Sequence, residues 1–378
     1  MITTILFDVD GVFLSEERCF DASALSVWEL LHSSDYLGLS GERFSTALEE
    51  RDIRRIRKLV FAHDDTLNFV KNRGINSNWD MVFMTTAHQL LHLLQKLMPT
   101  HEETVRKLLH QGIGREELQQ IGHIVREEGI SFAPDYTLFV PDFSSTKAEK
   151  QAVIRHLNVL AEEWFGVKTE MFSRDHPLWE LGRTVYQEWY LGDAYFEQSE
   201  GSRPQTPGKK GFLENEIPLA EPDEIRALLR DLRSRGIRLG IGTGRPRLET
   251  DVPFQVFGFS EYFHPKHVAT ASEVLKAEDA FPEKSPLGKP QPYTYMKALL
   301  GTEVPDRRVI ETPLPLENGK EVLIVGDSVA DYMAAQSMGC RFAATLTGLS
   351  GKEARSKFEH LQADYICDDV LQLRHVLL

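Results

Sequence analysis

Residues 2–7 form an apolar run that stops on Asp8-Val9-Asp10-Gly11. A short apolar run closed by a turn signal predicts a buried strand. From about residue 15 to 215 the rhythm is mainly helical, with few strand signals. Ile53, Ile56 and Val60 share one helix face, with Arg51, Arg54, Arg55 and Lys58 elsewhere on it. A second helix is expected over about 81–98, stopped by Pro99. A third, over 179–190, carries Trp179, Tyr186, Trp189 and Tyr190 at helical spacing, which suits the core of this module or the surface where it meets the rest of the chain. Residues 201–211 (GSRPQTPGKKG) have linker composition and mark a boundary.

Beyond that boundary the pattern alternates. Pro222 opens a helix with Ile225, Leu228, Leu229 and Leu232 on one face, and Gly236 closes it. Residues 237–242 read as a strand, 293–300 as a helix, 321–325 as a buried strand, 329–338 as a helix and 342–345 as a strand. Such alternation predicts an α/β fold with a parallel, Rossmann-like sheet covered by helices. The core is assembled from residues 1–14 and 216–378, and a large, mainly helical module, 15–215, is inserted after the first strand.

Composition narrows the function classes. The formal net charge of -14 opposes nucleic acid and anionic membrane as partners. A small phosphorylated substrate remains compatible, because local cations and a metal override the global field at short range. Cys19, Cys340 and Cys367 are odd in number and far apart, so neither a disulfide framework nor a thiolate zinc site is indicated. No signal core opens the chain and no uncharged apolar run approaches the ~20 residues of a bilayer span, so a reducing cytoplasm is the simplest expectation. Nothing in the sequence speaks to oligomeric state.

Candidate chemistry falls at the ends of the strand-like runs. Asp8 and Asp10 stand two apart, so period-two geometry sends both carboxylates the same way. Two carboxylates forced together divide into an acid/base and an ionised group, and the latter can attack phosphorus beside magnesium. A solvated Asp-Gly turn is the competing reading. Thr243-Gly244-Arg245-Pro246 offers a hydroxyl and free backbone N–H groups as a phosphate cradle, or a helix cap with Pro246 in the first turn. Lys289, between Gly288 and Pro290, would bring a point charge to phosphate or to Asp8, unless it is simply exposed loop. Asp327 follows a convincing buried strand and suits magnesium. Ser328 and Asp331 fit a capping box, and for Asp331 structural and metal roles can coexist.

Taken in order, the motifs DxDG, TGR, GKP and GDSxxD closely resemble the haloacid dehalogenase-like superfamily. The resemblance covers about 1–15 and 218–378 and is strongest to the phosphoglycolate phosphatase and β-phosphoglucomutase group, including the stretches at 346–349 and 363–366. It implies Asp8 as nucleophile. Asp10 would protonate the leaving group and activate water, its backbone carbonyl helping to hold Mg2+. Thr243, with Gly244, and Lys289 would bind the phosphoryl group, and Asp327 would hold Mg2+ with Asp331 in support. Family dehalogenases lack the second aspartate. The implied activity is a Mg2+-dependent phosphatase working through an aspartyl-phosphate, and the inserted module stands where the family carries its mobile cap. A phosphomutase using the same intermediate and a non-catalytic binding scaffold are the alternatives. At roughly 200 residues the module is far longer than small-phosphatase caps, so the substrate does not transfer by analogy. Residues 301–320, with Pro305, Pro313 and Pro315, look like an extra loop.

Two features are read conservatively. His88 and His92 have metal-ligand spacing on a helix but no obvious third ligand. The basic residues at 51–58 could meet an anionic substrate, although such a face is usually just solvated.

Overall fold

In the computed structural model, which describes residues 1–75 and 77–377, the first apolar run becomes the strand Thr4–Phe7, with every side chain buried. A strand covered on both faces must read this way. It is β1; β2 is Arg238–Gly242, β3 Val268–Ala269, β4 Val322–Gly326, β5 Arg341–Thr345 and β6 Tyr365–Cys367. Among the described residues they form one parallel sheet in the order β3-β2-β1-β4-β5-β6. The α/β class with a helical insertion is thus what the chain adopts.

Alternation along the strands builds a core on each face. Ile5 and Phe7 join Leu239, Ile241, Leu323 and Val325 under the helix Pro222–Ser234, whose Ile225, Leu228, Leu229 and Leu232 all point inward. Leu6 and Ile324 turn the other way, onto Tyr295 and Met296 of the helix Tyr293–Leu300 and Ala334, Ala335 and Met338 of the helix Val329–Met338. Register then sets the site. Phe7 lies opposite both Ile241 and Val325, so Asp8 is level with Gly242 and Gly326, and Thr243 and Asp327 follow one step on. In open α/β sheets these carboxyl ends are where ligands bind.

The backbone divides into two compact units, one of Met1–Glu17 with Leu213–Leu378 and the other of Arg18–Phe212. The second is helical, and its long helix Asn78–Gln111 packs against Gln151–Phe165 and Pro177–Glu200. Pro99 does not stop the long helix; the chain runs through it and breaks only locally, at His101 (φ -130, ψ 37). Missing one N–H costs less than exposing the apolar face that continues through Val105, Leu108 and Leu109. Trp179, Tyr186, Trp189 and Tyr190 are buried in this unit. The stretch 201–211 is no free linker. Lys209 Nζ is buried against Glu29 (2.8 Å) and Glu188, and the backbone N–H of Gln205 donates to Glu188 (2.7 Å), so the boundary falls after Phe212. Residues 301–320 carry a short helix, Asp306–Ile310, rather than loop alone. No helix among the described residues is long and apolar enough to cross a membrane.

Candidate active site

After β1 the chain turns back on itself. The N–H groups of Phe13 and Leu14 donate to the Val9 carbonyl (2.9 and 3.1 Å), and Gly11 takes φ +68, a conformation glycine adopts without strain. The turn is pinned from two sides. Phe13 packs on Phe7 (ring centroids 5.1 Å) and Phe254 (5.7 Å), and the hydroxyls of Thr345 and Thr347 donate to the Gly11 carbonyl (2.9 and 2.6 Å).

This presents Asp8 as a buried carboxylate held at both oxygens. Its Oδ1 accepts from the Val9 N–H (2.8 Å), and its Oδ2 is 2.9 Å from Lys289 Nζ. Lys289 also reaches Asp331 Oδ1 (2.8 Å), which accepts from the Tyr295 hydroxyl (2.7 Å). Asp331 Oδ2 takes the Ser328 hydroxyl (2.6 Å) and N–H (3.2 Å), while Ser328 caps the helix through the Asp331 N–H. Lys289 is therefore not an exposed loop lysine, and Asp331 joins the helix cap to the site.

Electrostatics follow from burial. Burial pushes the Asp8 carboxyl up to about 7; Lys289 opposes this, and Asp331 and Asp10 add to it. Asp327 is pushed well above the usual carboxylate range by burial, then by Asp331 and Asp8. Burial would raise Asp331 too, but Lys289, Ser328 and Tyr295 overcome it and hold that carboxyl low. Burial would lower Lys289, yet Asp331 and Asp8 override it and keep the ammonium charged. The ligand oxygens of Asp8, Asp327 and Asp331 all lie within 4.8 Å of one another. Three carboxylates with one lysine, shared by Asp8 and Asp331, are short of positive charge, and hard oxygen donors suit Mg2+. Glycines make the room: a Cβ on Gly11 would stand 2.3 Å from Asp327 Cγ, and one on Gly348 would stand 1.9 Å from Asp327 Oδ2.

The other side of the site is β2. Thr243 is fully buried; its hydroxyl oxygen accepts the Arg245 N–H (3.2 Å), which leaves its own hydrogen to donate. A Cβ on Gly244 would meet nothing within 4 Å, so open space lies above this turn. Pro246 precedes the helix Arg247–Val256 instead of sitting in its first turn. Asp10 stands apart from the carboxylate group, because Arg245 holds its side chain.

The family model described as "HAD-hyrolase-like" matches residues 286–373, which carry Lys289, Asp327 and Asp331. Over those residues, and in the order of its motifs, the chain is haloacid dehalogenase-like. A crystal structure solved as a structural-genomics target is 40% identical to this chain, with TM-score 0.90, covering 100% of this chain and 98% of that one. Two more distant structures share less. A HAD-superfamily hydrolase of subfamily IA, variant 1, from Geobacter sulfurreducens PCA is 15% identical (TM-score 0.37; 100% and 97% covered). A phosphoglycolate phosphatase, so named by prediction, from Haemophilus somnus 129PT is 14% identical (TM-score 0.41; 100% and 98% covered). Comparison with curated proteins gave no match.

Outside this site, among the described residues, the helical unit holds a further cluster. Asp142 supplies the third group that the sequence did not reveal for His88 and His92; its Oδ2 lies 2.9 and 2.8 Å from their Nε2 atoms. Gln89 decides its chemistry. The Gln89 amide is fixed by Asp135, whose N–H it accepts (2.8 Å) and whose carbonyl it donates to (3.0 Å). Its NH2 therefore faces His88 Nδ1 (3.1 Å), so Nδ1 accepts and Nε2 carries the hydrogen donated to Asp142. That tautomer has no Nε2 lone pair for a metal. The basic residues at 51–58 are locally paired, Arg54 with Glu50, Arg55 with Glu42 and Arg57 with Asp21. Sequence reasoning assigned no role to Arg245, Glu216 or Tyr295. Arg245 stands in the TGR motif, but the carboxylates it meets, Asp10 and Glu216, lie far off in sequence.

Proposed function

We propose that the chain is a Mg2+-dependent phosphatase acting on a small phosphorylated metabolite through an aspartyl-phosphate on Asp8. The observation that carries this reading is Asp8 itself, a buried carboxylate at the tip of the central strand with Lys289 at Oδ2 and Asp327 beside it. Asp8 and Asp327, with the Asp10 backbone carbonyl, would hold Mg2+. Asp331, both of whose oxygens are already engaged, would act in support. The ion would supply charge neutralisation for the phosphoryl oxygens.

The side chains do the rest. Lys289 and the Thr243 hydroxyl bind the phosphoryl oxygens, with the space above Gly244 receiving the group. The Asp8 carboxylate attacks phosphorus as the P–O bond to the leaving group breaks, and Asp10 gives that oxygen its proton. Asp10 then takes a proton from water as the water oxygen attacks phosphorus and releases Asp8. Burial of Asp8 strips water from the nucleophile and strengthens its contact with Lys289. The helical unit Arg18–Phe212 is proposed as a cap that selects substrate.

The test is a screen of phosphorylated metabolites for phosphate release, run with Mg2+ and with chelator. Release that needs Mg2+ and vanishes in Asp8→Asn and Asp327→Ala is expected. Release unaffected by chelator, or a positional isomer accumulating without free phosphate, would overturn the reading.

A further inference from the structure

Resting on that reading, we propose that Arg245, braced by Glu216, is the positioning residue that aligns Asp10 for proton transfer. Asp10 must deliver a proton to one oxygen of a bound ester, and a carboxylate turning freely about its side-chain bonds does this poorly. Here it is clamped. Arg245 Nε lies 2.9 Å from Asp10 Oδ1 and 3.1 Å from Oδ2, and Nη2 lies 2.6 Å from Oδ1. A guanidinium fork fixes the carboxylate plane as well as its position, which a lysine cannot do.

The clamp is itself held. Arg245 is 4% exposed, and its Nη1 donates to Glu216 Oε1 (2.7 Å) and to the Glu249 carbonyl (3.3 Å). Its backbone is tied at both ends, N–H to Thr243 Oγ1 and carbonyl to the Ala271 N–H (2.9 Å). Glu216 is rigidly placed too. It leads into the segment that pairs with the Asp10 turn, where Ser15 N–H donates to Ile217 (2.8 Å) and Leu219 N–H to Phe13 (2.9 Å). A buried arginine with two carboxylate partners is costly to assemble, and only one of those partners, Asp10, is partly open, at 32% side-chain exposure.

The fork also distinguishes the two Asp10 oxygens. Oδ1 receives the two shorter contacts, from Nη2 and Nε, while Oδ2 meets Nε alone at 3.1 Å, so Oδ2 is the less engaged oxygen and the one to carry the proton. As the Asp8–phosphorus bond forms and the ester P–O bond breaks, the proton passes from Oδ2 to the departing oxygen. It is replaced from the attacking water in the second step.

The experiment compares two esters of nearly the same shape. 4-Nitrophenolate leaves as a stable anion near neutrality and needs no proton, whereas phenolate does. Arg245→Ala should lower kcat/KM for phenyl phosphate at least tenfold more than for 4-nitrophenyl phosphate. Glu216→Gln, which keeps an acceptor for Nη1, should show a smaller bias in the same direction. Arg245→Lys should retain the bias, and it replaces the alanine variant if that fails to fold. Equal losses on both esters would show a merely structural role and overturn the proposal, as would no loss. Wild-type enzyme inactive on both esters would sink the phosphatase reading, and the positioning role with it.

Discussion

Replacing Asp331 by asparagine keeps its size and removes its charge, at a place where four donors converge. Lys289 Nζ and the Tyr295 hydroxyl meet Oδ1 at 2.8 and 2.7 Å, and the Ser328 hydroxyl and N–H meet Oδ2 at 2.6 and 3.2 Å. An amide offers one oxygen, so its NH2 must face one of these pairs and lose it. Loss of the cap alone would cost about 1 kcal/mol, the value its capping-box role suggests. Asp331 is fully buried, however, and removing one partner of a buried ion pair costs about 3–5 kcal/mol. Lys289 keeps Asp8 at 2.9 Å, which favours the lower end, so the expected loss is about 3–4 kcal/mol. Native-state hydrogen exchange in chelator reads this directly. Amides of β1 and β4 should exchange two to three decades faster, at about 1.4 kcal/mol per decade. Trp28, Trp79, Trp164, Trp179 and Trp189 all lie within Arg18–Phe212, so tryptophan fluorescence follows the helical unit separately. An acceleration in β4 below tenfold would refute the assignment of Asp331 as the brace of Lys289.

Gly348→Ala places a methyl 1.9 Å from Asp327 Oδ2, and Asp327 must shift. The Mg2+ concentration for half-maximal activity should rise at least tenfold, and an unchanged Mg2+ dependence would contradict Asp327 as a ligand. His88 is held neutral, burial pushing its pKa down against the pull of Asp142. The unfolded chain takes up that proton at about pH 6.5, so the helical unit should lose stability as pH falls below this, by up to about 1.4 kcal/mol per pH unit. His32, also shifted down by burial, contributes in the same direction. His88→Gln should flatten the slope seen in urea melts by tryptophan fluorescence; an unaltered slope would count against the buried neutral tautomer. Nitrogen-15 NMR should find the His88 hydrogen on Nε2, and finding it on Nδ1 would reopen the cluster to metals.

Local pattern was enough for elements that carry a strong period or a sharp end. The helix Tyr293–Leu300 and the one-sided helix Pro222–Ser234 were legible because apolar spacing and a terminal Pro or Gly are local signals. So were the strand ends bearing Asp8 and Asp327. β3, of two residues, and β6, of three, are too short to show a period. Pro99 misled because its local penalty is outweighed by packing along the rest of the helix. The clamp on Asp10 was illegible for a different reason. Arg245 is 235 residues away in sequence, and nothing in its neighbours tells which carboxylate it will meet. Asp142 was missed likewise, 50 residues from His92. Periodicity reports which face is buried, while charge pairing across the fold becomes visible only once the chain has closed.

Asp8 is the residue proposed to carry the phosphoryl group. Enzyme acid-quenched during turnover of 4-nitrophenyl phosphate with Mg2+, reduced with borohydride and digested, should yield homoserine at position 8, the reduction product of an aspartyl-phosphate. Asp8→Asn should give neither that product nor turnover. Turnover with no modification at position 8, or with the modification at another carboxylate, would contradict the account.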